Sequence, residues 1–198
     1  MNLKSSNFEK LNMQDAAAVI AATQTWVSNM VVGLNLCPFS HYVVENNQLR
    51  YSVTETQDKQ QLMNELIHEL QWLENHPEIE TTLLIHPGVL NHFDDYLNFL
   101  DVVNQSLPLM DYEGIFQVAS FHPDYQFGGT GIDDVENFTN RSPYPMLHIL
   151  REASVEHAIA NFQGDIDAIP DRNIERLTSM GRDAVLALAM GSTKQHKQ

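Results

Sequence analysis

Two stretches decide the fold: Thr81-Thr-Leu-Leu-Ile-His86 and Ile115-Phe-Gln-Val-Ala-Ser-Phe121. Each is a short, nearly continuous apolar run, as expected for a strand covered on both faces of a sheet. Helical patterns surround them. Leu62, Leu66, Leu70 and Leu73 form a stripe at helical spacing that His76-Pro77 closes. Asn91 or Asp94 starts a second helix, with Phe93, Tyr96, Leu97, Leu100 and Val103 along one side. A strand–helix–strand–helix–strand order implies right-handed crossovers and a parallel core to the sheet.

Working outward, Ala17, Ile20, Ala21, Val27, Met30 and Val31 mark a first helix from Met13, with Asp15 placed to cap or charge its first turn. Gly33 and Pro38 end it. HYVV and LRYSVTE, joined by an Asn-rich turn, predict a hairpin that adds an antiparallel strand at the sheet edge. Downstream, Ser142 with Pro143 and Pro145 predicts a helix start, and that helix is expected to run to Phe162. Pro170 and Asp171 open a last helical region, interrupted near Gly181. The expected fold is a single α/β domain over residues 13–190, with a mixed, mostly parallel sheet of about four to five strands flanked by helices. Residues 1–12 read as a flexible polar arm and 191–198 as a disordered tail.

A chain of 198 residues with 43% hydrophobic side chains is sized for one core. Its formal net charge of −15 repels phosphate backbones, and not one Lys or Arg lies between Lys59 and Arg141. Nucleic acid is therefore not an expected partner. No apolar run approaches the roughly 20 residues of a spanning helix, so no membrane partner is expected either. The N-terminus has no signal-peptide pattern, and the single Cys37 allows no internal disulfide; both point to the cytoplasm. Oligomeric state leaves no mark in the sequence.

The chemistry gathers between Phe121 and Arg151, in FHPDYQFGGTG, NRSPYP and MLHILRE. In open α/β sheets ligands sit beyond the carboxyl ends of the strands. LLIHP and VASFHP both stop there, at His86-Pro87 and His122-Pro123, so parallel strands put both imidazoles on one edge. They either share a site or are separately hydrogen-bonded structural histidines. Asp124 is placed to orient an imidazole, act as a base, or ligate a divalent metal with His86 and His122; the alternative is a turn cap. No established metal spacing, HExxH or CxxC, is present. Arg141 suits a carboxylate or phosphate clamp, as does Arg151, the alternative being a structural bridge to a carboxylate such as Asp133 or Asp134. On the expected helix, Tyr144, His148, Arg151 and Glu152 make a polar stripe, with Leu147, Leu150 and Ile159 in the core. Gly128, Gly129 and Gly131 match no phosphate loop and read as a lid or tight bend. Cys37 is either a nucleophile activated by a nearby histidine or a small buried hydrophobe.

GLNLCPF (33–39), ETTLLIHP (80–87), FQVASFHPDYQFGGT (116–130) and NRSPYPMLHILREASV (140–155) resemble the bacterial family catalogued as domain of unknown function 1415. The resemblance covers nearly the whole chain beyond the polar arm. It implies a one-domain bacterial protein and brings no activity, cofactor or catalytic residue with it.

The functional expectation rests on the residues. It is a hydrolase or group transferase acting on a small anionic molecule. His122 is the acid–base group oriented by Asp124, and His86 assists. Arg141 holds the anion, with Tyr125, Tyr144, His148 and Arg151 around it. The alternative is a noncatalytic small-molecule-binding or protein-interaction domain using the same place.

Overall fold

In a computed structural model that describes residues 13–189 and Gly191, four strands form one sheet in the order β1-β2-β4-β3. They are β1 (Leu49–Val53), β2 (Thr81–Ile85), β3 (Phe116–Phe121) and β4 (Met146–Arg151). β1 pairs parallel with β2, whereas β4 runs antiparallel to both β2 and β3. Three strands therefore point one way, and the reversed strand is wedged inside the sheet. The arm at 1–12 and the tail from 192 lie outside the described residues.

The helices cover both faces. α3 (Lys59–Glu74) and α4 (Phe93–Leu109) pack on one. There Leu62, Leu66, Leu70 and Leu73, all fully buried, meet Leu84, Phe116, Val118, Leu147 and Ile149. Asp58 caps α3 by accepting a hydrogen bond from the Gln61 backbone N–H at 2.9 Å. Burying each such leucine stabilises by about 1.5–3 kcal/mol. The other face carries α1 (Met13–Trp26), a π-helical segment (Val27–Val32), α6 (Ile169–Met180) and α7 (Arg182–Ala189), packed on Leu83, Ile85 and Met146. Gly33 ends the π segment where a Cβ would stand 2.5 Å from the Asn29 carbonyl oxygen, so no side chain fits there. Among the described residues no helix is long and apolar enough to cross a membrane.

The α/β domain stands as expected, and so do the stripe of α3, the strands at 81 and 116, and the break at Gly181. Two elements differ. HYVV is not a strand: Ser40–Glu45 form α2, a short helix ended by Asn47 in the left-handed region (φ 55°), and β1 pairs parallel rather than in a hairpin. Val44 packs against the α1 layer, so tertiary contact overrides β-propensity. The larger correction is MLHILR, which is β4 and not a helix; α5 begins only at Glu152 and ends at Asn161. A six-residue run apolar on both faces cannot be told from a helix by periodicity. Hydrogen-bonding neighbours on both sides decide it.

Candidate functional site

Met146 pairs with both Ile85 and Phe121, so β2 and β3 end on the same rim of the sheet, on either side of the start of β4. His86 and His122 therefore emerge together, as the sequence implied, although their strands never touch. Both are fully buried. They lie on the α4 face, where the Tyr96 ring stands 6.0 Å from His86 and 5.1 Å from His122, centroid to centroid. The Tyr96 hydroxyl donates to Met146 O at 2.9 Å and accepts from Phe121 N at 3.1 Å, clasping the last residue pair of the β3–β4 ladder.

Each histidine spends its ring on backbone. His86 Nδ1–H donates to Val89 O at 3.0 Å, and its Nε2 has no partner among the described residues. His122 Nε2–H donates to Leu90 O at 3.1 Å, while its Nδ1 accepts from Asp124 N at 3.0 Å. These partners fix the tautomers, since a carbonyl only accepts and an amide only donates. Leu90 adopts φ 59°, a costly conformation for leucine, and the His122 bond helps hold it. Burial pushes the His86 pKa down to about 4, with the Val89 bond opposing and His122 adding slightly. Burial also lowers His122, against the raising effects of the Leu90 bond and the Asp124 carboxylate. Both rings are neutral pins of the rim loops.

Asp124 thus meets His122 through its backbone N–H, and its own side chain is exposed. His86, His122 and Asp124 are not gathered as a ligand set: among the described residues no three His, Cys, Asp or Glu side chains are placed to hold a metal ion. Tyr125 packs its ring on Phe93 and Phe127 at 5.1 and 4.9 Å. Arg141 lies over Phe138 and donates from Nε to Tyr125 O at 2.9 Å and from an Nη to Ile132 O at 2.7 Å. One residue further on, Arg182 pairs with the Asp133 carboxylate at 2.7 Å. Burial lowers the Arg141 pKa; Asp124 opposes that, and the Arg182 charge adds to it.

The glycine bend is tied down rather than loose. Asn137, fully buried, accepts from Phe127 N and Thr130 Oγ1 and donates to Gly131 O, all within 2.9 Å. Asp134 accepts from Gly131 N at 2.7 Å. Gly129 needs its freedom, at φ 85°.

The remaining candidates lie elsewhere. Because residues 146–151 form a strand, side chains alternate between faces. Tyr144 and His148 belong to the α1 side. Arg151 sits at the far end of the sheet, where β3 begins, and donates to the carbonyls of Leu73, His76 (3.1 Å) and Ile79 (3.0 Å). It braces the end of α3 and takes no part in the rim. Cys37 is half-buried, and burial raises its thiol pKa against the lowering bonds at Phe39 and Ser40, the reverse of an activated nucleophile.

The model of the family described as "Protein of unknown function (DUF1415)" matches residues 18–187. The chain belongs to that family. No curated protein and no solved structure matches it. In this DUF1415 chain the sequence reading missed Tyr96, Asn137 and Arg182. Tyr96 was visible only as one more apolar helix position, and Asn137 and Arg182 carried no motif at all. Their roles come from residues that the fold, not the chain, brings near.

Proposed function

We propose that this DUF1415 protein is a binding domain for a small anionic molecule, held at the sheet rim by Arg141 with Arg182 beside it. What carries the reading is that the two guanidinium groups dock on consecutive residues, Ile132 O and the Asp133 carboxylate. In a chain of net charge −15 with no cation between Lys59 and Arg141, that convergence brings two cations to one loop, beside the Asp124 and Asp133 carboxylates. Arg141 uses two of its five N–H donors on backbone, so a fork remains for a carboxylate or phosphate. The Asp133 pair is exposed and weak, and an incoming anion competes with it readily. Tyr125 forms a wall. The acidic surface argues against nucleic acid as the anion, and the lone thiol supports a reducing cytoplasm.

A hydrolase or group transferase with His122 as acid–base group is the second reading, favoured by the unpaired Nε2 of buried His86 beside it. It ranks lower because proton transfer at His122 requires breaking a backbone hydrogen bond.

Calorimetric titration with inorganic phosphate and citrate tests the first reading. Arg141→Met and Arg182→Met are each expected to weaken the preferred anion by about tenfold, the loss of one charge-assisted bond. Equal affinity in all three proteins, or no heat with either anion, overturns it. Hydrolysis of a p-nitrophenyl ester that His122→Asn abolishes without unfolding the protein moves the conclusion to the second.

A further inference from the structure

The two edges of the sheet are finished differently. On β3 the chain's own groups take both ends of the outer edge. Phe116 N donates to Tyr112 O at 3.1 Å, the Asn140 side chain donates to Ser120 O at 3.2 Å, and His122 N donates to Asn140 O at 3.2 Å. β1, at the other edge, has no such cover. Gln48 O accepts from Thr81 N, and Thr54 N donates to Ile85 O. In a parallel pair, alternate residues bond to the neighbour, so Arg50 and Ser52 turn their N–H and C=O groups toward β2. Leu49, Tyr51 and Val53 turn theirs outward, and among the described residues no hydrogen bond reaches them there.

Exposed edges ordinarily carry a lysine, a proline, a bulge or a projecting charge that keeps other strands off. β1 has none of these. Its register with β2 is unbroken and every residue is only half-buried. Its one charge, Arg50, is folded back onto Glu69 at 2.9 and 3.1 Å and over the Trp72 ring at 4.0 Å.

The strand also matches itself. Laid antiparallel about a two-fold axis at Tyr51, it sets Leu49 against Val53 of a second copy and Tyr51 against Tyr51. These are the residues with outward groups, so each pair closes with two hydrogen bonds. Their side chains pack with the α1 layer, so apolar meets apolar across the axis. On the other face Arg50 meets Ser52 of the copy, and no like charges stand directly opposed. This register alone pairs the whole of Leu49–Val53.

We propose that β1 is a dimer interface, where a second copy of this chain adds its own β1 antiparallel and the two four-stranded sheets become one. The occupied ends of β3 stop the addition at two copies, a closed isologous pair rather than a fibre. The net charge of −15 on each copy opposes contact, so association is expected to tighten as salt screens it.

Sedimentation of the whole protein from about 1 to about 100 μM, a range that reveals modest affinities, is expected to show the mass of two chains at its upper end. Residue-resolved amide exchange is expected to slow at Leu49, Tyr51 and Val53 as the dimer forms, and to stay unchanged at Arg50 and Ser52, whose amides serve the ladder to β2. Val53→Pro removes an outward N–H and spares that ladder, and is expected to sediment as one chain; Val53→Ala is expected to remain a dimer. A single-chain mass at the highest concentration overturns the proposal. So does a Val53→Pro protein that still dimerises, or a parent dimer whose Leu49, Tyr51 and Val53 amides exchange as fast as in the single chain. If Val53→Pro does not fold, exchange in the parent decides alone: protection at those amides that persists on dilution to single chains means the chain covers its own edge, and overturns it.

Discussion

Acidification is predicted to destabilise this protein through two histidines whose surroundings disfavour the charged ring. His86 and His148 have ordinary values near 6.5 and are each pushed by burial to about 4. Above pH 6.5 both states are neutral and the rings contribute nothing. As pH falls below 6.5, the unfolded chain takes up protons that the folded chain refuses, so the unfolded state gains. The loss grows by about 1.4 kcal/mol per pH unit for each ring and levels off near the folded value. At pH 5 that is about 2 kcal/mol per ring, or about 4 for the pair, against a typical domain stability of roughly 5–15 kcal/mol. His122, also lowered by burial, adds in the same direction. Relief of acidic self-repulsion works the other way as carboxylates are neutralised, which makes a difference between proteins cleaner than an absolute slope. Urea unfolding of the parent and of His148→Leu at pH 7.5 and pH 5 is the assay. The variant is expected to lose about 2 kcal/mol less than the parent over that interval. Equal losses in both proteins, or a His148 ring proton titrating near 6.5 in the folded parent, refute the reasoning.

Tyr96→Phe removes a hydroxyl that serves Met146 O and Phe121 N at once, at the last residue pair of the β3–β4 ladder. The expected cost is about 1–3 kcal/mol in urea unfolding, with faster amide exchange at Phe121; an unchanged midpoint contradicts the clasp. Cys37, raised by burial, is expected to resist iodoacetamide at neutral pH until the protein is unfolded. Rapid alkylation of the folded protein overturns that assignment.

The sequence exposed much of the frame because several signals were local. Leu62, Leu66, Leu70 and Leu73 fall on one helical face whatever surrounds them, and Asp58 caps that helix from three residues away. The runs at 81 and 116 and the break at Gly181 are equally local. The clustering of His86 and His122 was legible too. Their strands run the same way, with the reversed β4 between them.

What the sequence determined alone is therefore composition, the apolar periods and the punctuation by proline and glycine, since these act within a few residues. The structure decided everything that depends on which groups meet. MLHILR became a strand once neighbours on both sides took its backbone hydrogen bonds, and that alone sent His148 to one face and Arg151 to the other. The His122 ring holds Leu90 O and Asp124 N, partners that its place in the sequence does not announce. Hydrogen-bond partners distant along the chain and the depth of burial set a side chain's chemistry, and neither is written in its residue type.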